Sequence, residues 1–211
     1  MDKVPSKSYM ERLIKEKFNF SYLGFDNEFF DNLLKEVKRH EHKLVPIFGE
    51  KGDNMDSKRK QYIFDRNSKQ NGYLRKLIDK VREELRSLYT NGWTISKVVL
   101  LKSEKGGKKQ MLHRDFTEWL DEYETDLFPC SAMVALQDNT SLLIRKTSRD
   151  KKILLPKGHL FIFKGDLIHR GDSYKKTNYR LHFMLSVDKA KPPKDLVLLL
   201  KEKEDKKRKR K

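Results

Sequence analysis

The spacing of apolar positions changes character near residue 92. Before it, Leu74, Leu77, Ile78, Val81, Leu85 and Leu88 form one stripe at helical period, and Asn91-Gly92 supplies a left-handed stop. Upstream, Asp26 is placed to cap a helix that buries Phe29, Phe30, Leu33, Leu34 and Val37, and Ser8-Tyr9-Met10-Glu11 reads as a capping box for a short helix through Phe18. After Trp93 the pattern becomes short β-rich runs: residues 95–101, 130–136, 141–146, 153–155, 158–163, 167–169 and 178–185. Turn residues separate them, among them Gly106-Gly107, Asp138-Asn139 as a hairpin turn, and Lys164-Gly165-Asp166. Helices first and strands afterward predict an α+β chain. Its architecture is a double-stranded β-helix, the jelly-roll or cupin-like barrel, buttressed by N-terminal helices and able to hold a ligand in its mouth. The expected divisions are a helical buttress over 1–92, a barrel core over 93–190 and a basic tail over 191–211, all within one domain.

Composition narrows the setting. The single cysteine, Cys130, cannot form an internal disulfide, and it falls in an apolar run where a packed thiol is expected. No apolar stretch reaches the length of a signal or membrane segment, so no membrane partner is expected and the chain reads as intracellular, cytoplasmic or nuclear. The net charge is +17. The last eleven residues hold eight Lys or Arg against three acids, which leaves most of the excess on the rest of the chain. A basic body and a basic terminal run are compatible with nucleic-acid association and with nuclear import.

The chemistry concentrates in His113, Asp115, His169 and Arg180. His113 and Asp115 are two apart in an extended stretch, so their side chains share a face. Two imidazoles and one carboxylate leave three positions open on an octahedral metal, the arrangement that non-haem Fe(II) oxygenases use for cosubstrate and O₂. A guanidinium suits an organic acid, because its planar fork grips a carboxylate through two parallel hydrogen bonds. His40, His42 and His159 read as structural or solvated. Two decoys overlap the site. His113-Arg114-Asp115-Phe116 imitates a kinase catalytic loop, but Leu120 stands where that loop needs Asn and no glycine-rich phosphate loop is present. Arg170-Gly171-Asp172 imitates an integrin-binding tripeptide, yet it reads as the turn leaving the strand of His169.

These stretches, in this order, resemble the 2-oxoglutarate and Fe(II)-dependent dioxygenase superfamily over residues 95–188, and its prolyl-hydroxylase-like branch more than the branch that demethylates alkylated nucleic acids. In that family His-x-Asp is followed by a distal His several dozen residues later and then by an Arg or Lys on the next strand. Here His169 follows His113 by 56 positions, and Arg180 follows His169 by 11. The resemblance implies that His113, Asp115 and His169 ligate Fe(II) and that Arg180 binds the distal carboxylate of 2-oxoglutarate. It also marks two departures: Ser103 stands where the family often has a tyrosine assisting that carboxylate, and His182 stands where some relatives carry a serine touching the cosubstrate. The implied activity is hydroxylation of a C–H bond in a macromolecular substrate, a protein side chain in preference, with O₂ consumed and succinate and CO₂ released. A nucleobase hydroxylase or demethylase of the same superfamily, and a non-catalytic cupin-like or basic nucleic-acid-binding module, stay open as alternatives. The acidic, aromatic segment 116–128 follows the first two candidate ligands directly and reads either as a substrate-facing lid or as a surface helix.

Overall fold

The computed structural model describes residues 17–47, 56–65, 72–88, 93–116, 130–145, 148–187 and 198–199. Among the described residues the helices are α1 (Asn27–Lys38) and α2 (Tyr73–Leu88), with a 3-10 turn at Glu41–Lys43. The strands are β1 (Phe18–Tyr22), β2 (Val45–Pro46), β3 (Arg59–Phe64), β4 (Trp93–Ser103), β5 (His113–Arg114), β6 (Cys130–Ala135), β7 (Ser141–Arg145), β8 (Asp150–Leu154), β9 (His159–Lys164), β10 (His169–Gly171), β11 (Asn178–Val187) and β12 (Leu198–Leu199). They form a seven-stranded sheet in the order β1-β9-β6-β11-β4-β3-β2 and a five-stranded sheet in the order β12-β5-β10-β7-β8. Every pairing is antiparallel. From β4 onward the chain passes back and forth between the sheets, except at the β7–β8 pair, which is the winding of a double-stranded β-helix.

The period of two along the strands divides the apolar side chains between two cores. On β9, Leu160 and Ile162 join Ala132 and Val134 of β6, Leu181 and Phe183 of β11, and Phe30, Leu33, Val37, Leu77 and Val81 of the helices. The alternate residues, Phe161 and Phe163 with Met133 and Ala135, meet Leu142, Ile144, Ile153, Leu155 and Leu167 between the sheets. Each fully buried Leu or Phe stabilises the fold by about 1.5–3 kcal/mol. On β11 the same alternation turns Leu181 and Phe183 toward the helices, and so Arg180 and His182 toward the barrel interior. One sheet thus carries the packing that fixes it and the polar groups that it displays.

The helix N-termini are closed by side chains. Asp26 Oδ1 accepts from Phe29 N at 2.8 Å, the capping geometry expected for α1. The start of α2 is capped from its neighbour: the Glu36 carboxylate accepts from Tyr73 N at 2.7 Å and Leu74 N at 3.2 Å. A Cβ at Gly72 would lie 2.6 Å from Glu36 Oε2, and its φ of +99° is itself a glycine conformation. Among the described residues no helix is long and apolar enough to cross a membrane.

Several sequence expectations change. The stretch 1–92 also supplies β1, β2 and β3, which complete the larger sheet. Phe18 lies in β1, where Phe18 and Phe20 pack on Phe161 at 5.5 and 4.9 Å, and the rest of the helix expected before it lies outside the described residues. β3 carries no strand signal in the sequence, because its Arg59-Lys60-Gln61 start shows no apolar alternation. Asp138-Asn139 is no hairpin: Asn139 takes a left-handed φ of 60°, but the chain there passes from the larger sheet to the smaller. Leu167 closes a turn, its N–H bonded to Lys164 O at 3.0 Å, and strand pairing begins only at His169. Within the expected tail, Leu198 and Leu199 pair with Arg114 and His113. The remainder of 191–211, the Asn91-Gly92 stop and residues 117–128 of the expected lid lie outside the described residues.

Candidate metal and organic-acid site

His113 and His169 are directly opposed in the antiparallel pairing of β5 with β10, with ring centroids 4.3 Å apart. Each ring is set by its own chain two residues back: His113 Nδ1 lies 2.8 Å from Met111 O, and His169 Nδ1 lies 2.9 Å from Leu167 O. A carbonyl oxygen can only accept, so both Nδ1 atoms carry the hydrogen and both Nε2 lone pairs face inward. Asp115, on the same side as His113, brings Oδ1 to 3.7 Å from His113 Nε2 and 3.6 Å from His169 Nε2. The three side chains are buried, and their ligand atoms lie within 4.8 Å of one another.

The electrostatics suit a cation. Burial, reinforced by the facing His169, pushes His113 down to about 3, and burial lowers His169 as well. Burial alone would raise the Asp115 carboxyl, but the surrounding imidazoles hold it well below the usual carboxylate range. At neutral pH the cluster is two neutral imidazoles around one carboxylate. Three lone pairs converge with no hydrogen between them, the protonation state that metal binding requires.

Arg180, near enough for its charge to help lower His169, is only 1 % exposed. Its Nη1 donates to Ser103 Oγ at 3.0 Å, while its Nε is buried with no partner. Among the described residues no carboxylate pairs with it. A buried guanidinium without a counter-ion is costly, and an acidic ligand beside it removes the cost. His182, two residues on, also faces inward: its Nε2 is 3.3 Å from Asp115 Oδ2, without the alignment of a hydrogen bond. All six residues singled out from the sequence, His113, Asp115, His169, Arg180, Ser103 and His182, therefore meet in one interior region. His40 stacks on Tyr62 at 4.9 Å and His159 lies beside Tyr22 at 5.1 Å, in keeping with structural roles. Cys130 is fully buried, and burial pushes its thiol up, which leaves it inert.

Two residues of this region carry no motif. Ser131 on β6 donates to Asp115 Oδ2 at 2.6 Å, so that Oδ1 is the oxygen left toward the imidazoles. Arg59 on β3 is 3 % exposed and gives its donors to four acceptors. Nε and Nη2 reach Lys108 O at 2.8 and 2.5 Å, Nη2 also reaches Asp172 O at 2.6 Å and Gly171 O at 3.3 Å, and Nη1 reaches Ser103 Oγ at 3.2 Å. Burial, then the positive charge of Arg180, brings Arg59 down to about 10. Gly171 makes this crowding possible, since a Cβ there would lie 2.7 Å from Arg59 Nη1 and 3.2 Å from Arg180 Nη2. The signal available for Ser131 was its place inside an otherwise apolar strand. For Arg59, in a run of charged residues, there was none.

No protein-family model matches the chain, and no curated protein is similar to it. Solved structures share its fold. A prolyl-4-hydroxylase of Pseudomonas putida superposes with a TM-score of 0.62 at 14% identity, over 85% of this chain and 97% of that one. HygX of Streptomyces hygroscopicus, solved with nickel and 2-oxoglutarate bound, gives 0.65 at 12% identity over 89% of each chain. A Trichoplax adhaerens prolyl hydroxylase, in complex with a peptide of the hypoxia inducible factor oxygen degradation domain, gives 0.62 at 13% identity over 85% of this chain and 88% of that one.

Proposed function

We propose that this chain, which has the fold of 2-oxoglutarate and Fe(II)-dependent oxygenases, is itself a hydroxylase of that kind. The observation that carries the reading is the convergence of the His113, Asp115 and His169 ligand atoms beside a buried, unpaired Arg180 guanidinium. In this reading His113 Nε2, His169 Nε2 and Asp115 Oδ1 hold a ferrous ion, and Arg180 with Ser103 receives the distal carboxylate of 2-oxoglutarate. Bound iron, 2-oxoglutarate and O₂ supply the oxidising chemistry, releasing succinate and CO₂ as one oxygen atom enters a substrate C–H bond. The chain's own part is placement. The Nδ1 bonds to Met111 O and Leu167 O lock the imidazoles in the metal-binding tautomer, and Ser131 orients the carboxylate. The Phe161–Phe163 wall keeps the interior apolar, which strengthens each charge interaction within it.

A protein side chain is the favoured substrate, supported by the peptide held by the Trichoplax protein of like fold. The net charge of +17 favours a second reading, in which the substrate is a nucleobase or a protein bound to nucleic acid. A complete set of four groups argues against a non-catalytic module. The test is incubation of the protein with Fe(II), 2-oxoglutarate and O₂, followed by assay of succinate. Slow uncoupled succinate production that is abolished in His169→Ala supports the proposal, and its absence at every iron concentration speaks against it.

A further inference from the structure

We propose that Arg59 is a positioning residue of this site, acting through Ser103 so that the pocket accepts an ionised carboxylate and refuses the corresponding amide. The inference rests on the oxygenase reading above. A serine hydroxyl has two acceptor lone pairs and one hydrogen to give. Arg180 Nη1 at 3.0 Å and Arg59 Nη1 at 3.2 Å occupy both lone pairs of Ser103 Oγ. Among the described residues Ser103 donates to no acceptor, so its hydrogen is left for whatever lies beside Arg180. The Arg180 Nε hydrogen is in the same position, buried and without a partner. The groups that Ser103 and Arg180 offer to a ligand here are therefore O–H and N–H donors, and the acceptor beside them, Gln110 Oε1, already receives Gly171 N at 3.2 Å.

A carboxylate can only accept, and it matches that surface. A terminal amide of the same shape would turn its NH₂ against donors, leaving hydrogens facing hydrogens. Arg59 is what enforces the distinction. Without it, one lone pair of Ser103 is released, and the hydroxyl can rotate to accept from an amide. Arg59 cannot itself turn away, because Lys108 O, Gly171 O and Asp172 O hold the rest of its fork. Its pocket exists because residue 171 has no side chain. The sharing of one hydroxyl by two buried arginines thus converts a small residue with two hydrogen-bonding characters into a dedicated donor.

The test uses the full chain loaded with Mn(II) in place of iron, and calorimetric titration with 2-oxoglutarate and separately with its terminal amide. The parent protein should bind the acid at least about 100-fold more tightly than the amide. Arg59→Lys should cut that preference about tenfold, without change in Mn(II) affinity. Ser103→Ala should cut it by a similar factor, and adding Arg59→Lys to Ser103→Ala should alter it by less than about twofold. Equal weakening of acid and amide in Arg59→Lys overturns the inference, as does a combined variant in which the two losses multiply. Should Arg59→Lys fail to fold, Ser103→Ala decides alone, since Arg59 keeps its carbonyl bonds there; an undiminished preference refutes the role. A parent protein that binds Mn(II) and 2-oxoglutarate yet takes acid and amide alike refutes only this inference. One that binds Mn(II) but neither organic ligand refutes the oxygenase reading as well.

Discussion

Ser131 donates its hydroxyl hydrogen to Asp115 Oδ2 across 2.6 Å, and the bond leaves Oδ1 turned toward the two imidazoles. Ser131 is fully buried, and alanine fits its place with the loss of one oxygen. Ser131→Ala should therefore fold, while its carboxylate loses the partner that fixes its orientation. Divalent-metal affinity should fall by about 10–100-fold, a typical effect of removing an outer partner of a ligand. Competition against a metal-sensitive dye measures it, and an affinity equal to that of the parent would remove Ser131 from the account.

The depressed histidines make metal-free stability depend on pH. An exposed imidazole titrates near 6.5, whereas burial brings His113 down to about 3 and lowers His169. Between those limits the unfolded chain binds more protons than the folded one, so stability rises with pH across the window. It is fully present above 6.5 and declines as pH falls toward 3. His40, also lowered by burial, adds in the same direction. Urea unfolding at pH 7.5, 6 and 5 should show the decline, with a shallower slope in His113→Gln. Equal slopes in the two proteins would contradict the burial of a neutral His113.

Arg180→Ala separates the two halves of the site. It removes a buried cation that no carboxylate among the described residues pairs, while leaving the three candidate ligands in place. The expected outcome is a loss on the order of 2–5 kcal/mol in 2-oxoglutarate binding, with Mn(II) affinity unchanged. Equal 2-oxoglutarate affinity in parent and variant would remove Arg180 as the anchor.

How much was readable beforehand follows from which interactions are local. The α2 stripe, the Asp26 cap and the alternation in β9 and β11 are written in neighbouring residues, and the structure reproduces them. His113, Asp115, His169 and Arg180 were legible through the family resemblance, whose pattern is their order and spacing along the chain. Arg59 was not, since its partners Lys108, Gly171 and Asp172 lie 49 to 113 positions away. Gly72 gives the same lesson, as its constraint comes from Glu36 on another helix. The misread Asp138-Asn139 turn has a similar cause: turn chemistry reports that a chain bends, and which sheet receives it is decided by long-range pairing.

In the proposed function, His113, Asp115 and His169 hold a ferrous ion to which 2-oxoglutarate binds directly beside Arg180. Anaerobic titration of the protein with Fe(II) and then 2-oxoglutarate tests it most directly, through the weak visible metal-to-ligand charge-transfer band of a chelated 2-oxo acid. That band should grow to one equivalent of cosubstrate in the parent protein, be absent in His169→Ala, and need much higher 2-oxoglutarate in Arg180→Ala. A parent protein that binds Fe(II) tightly yet develops no band at saturating 2-oxoglutarate contradicts it.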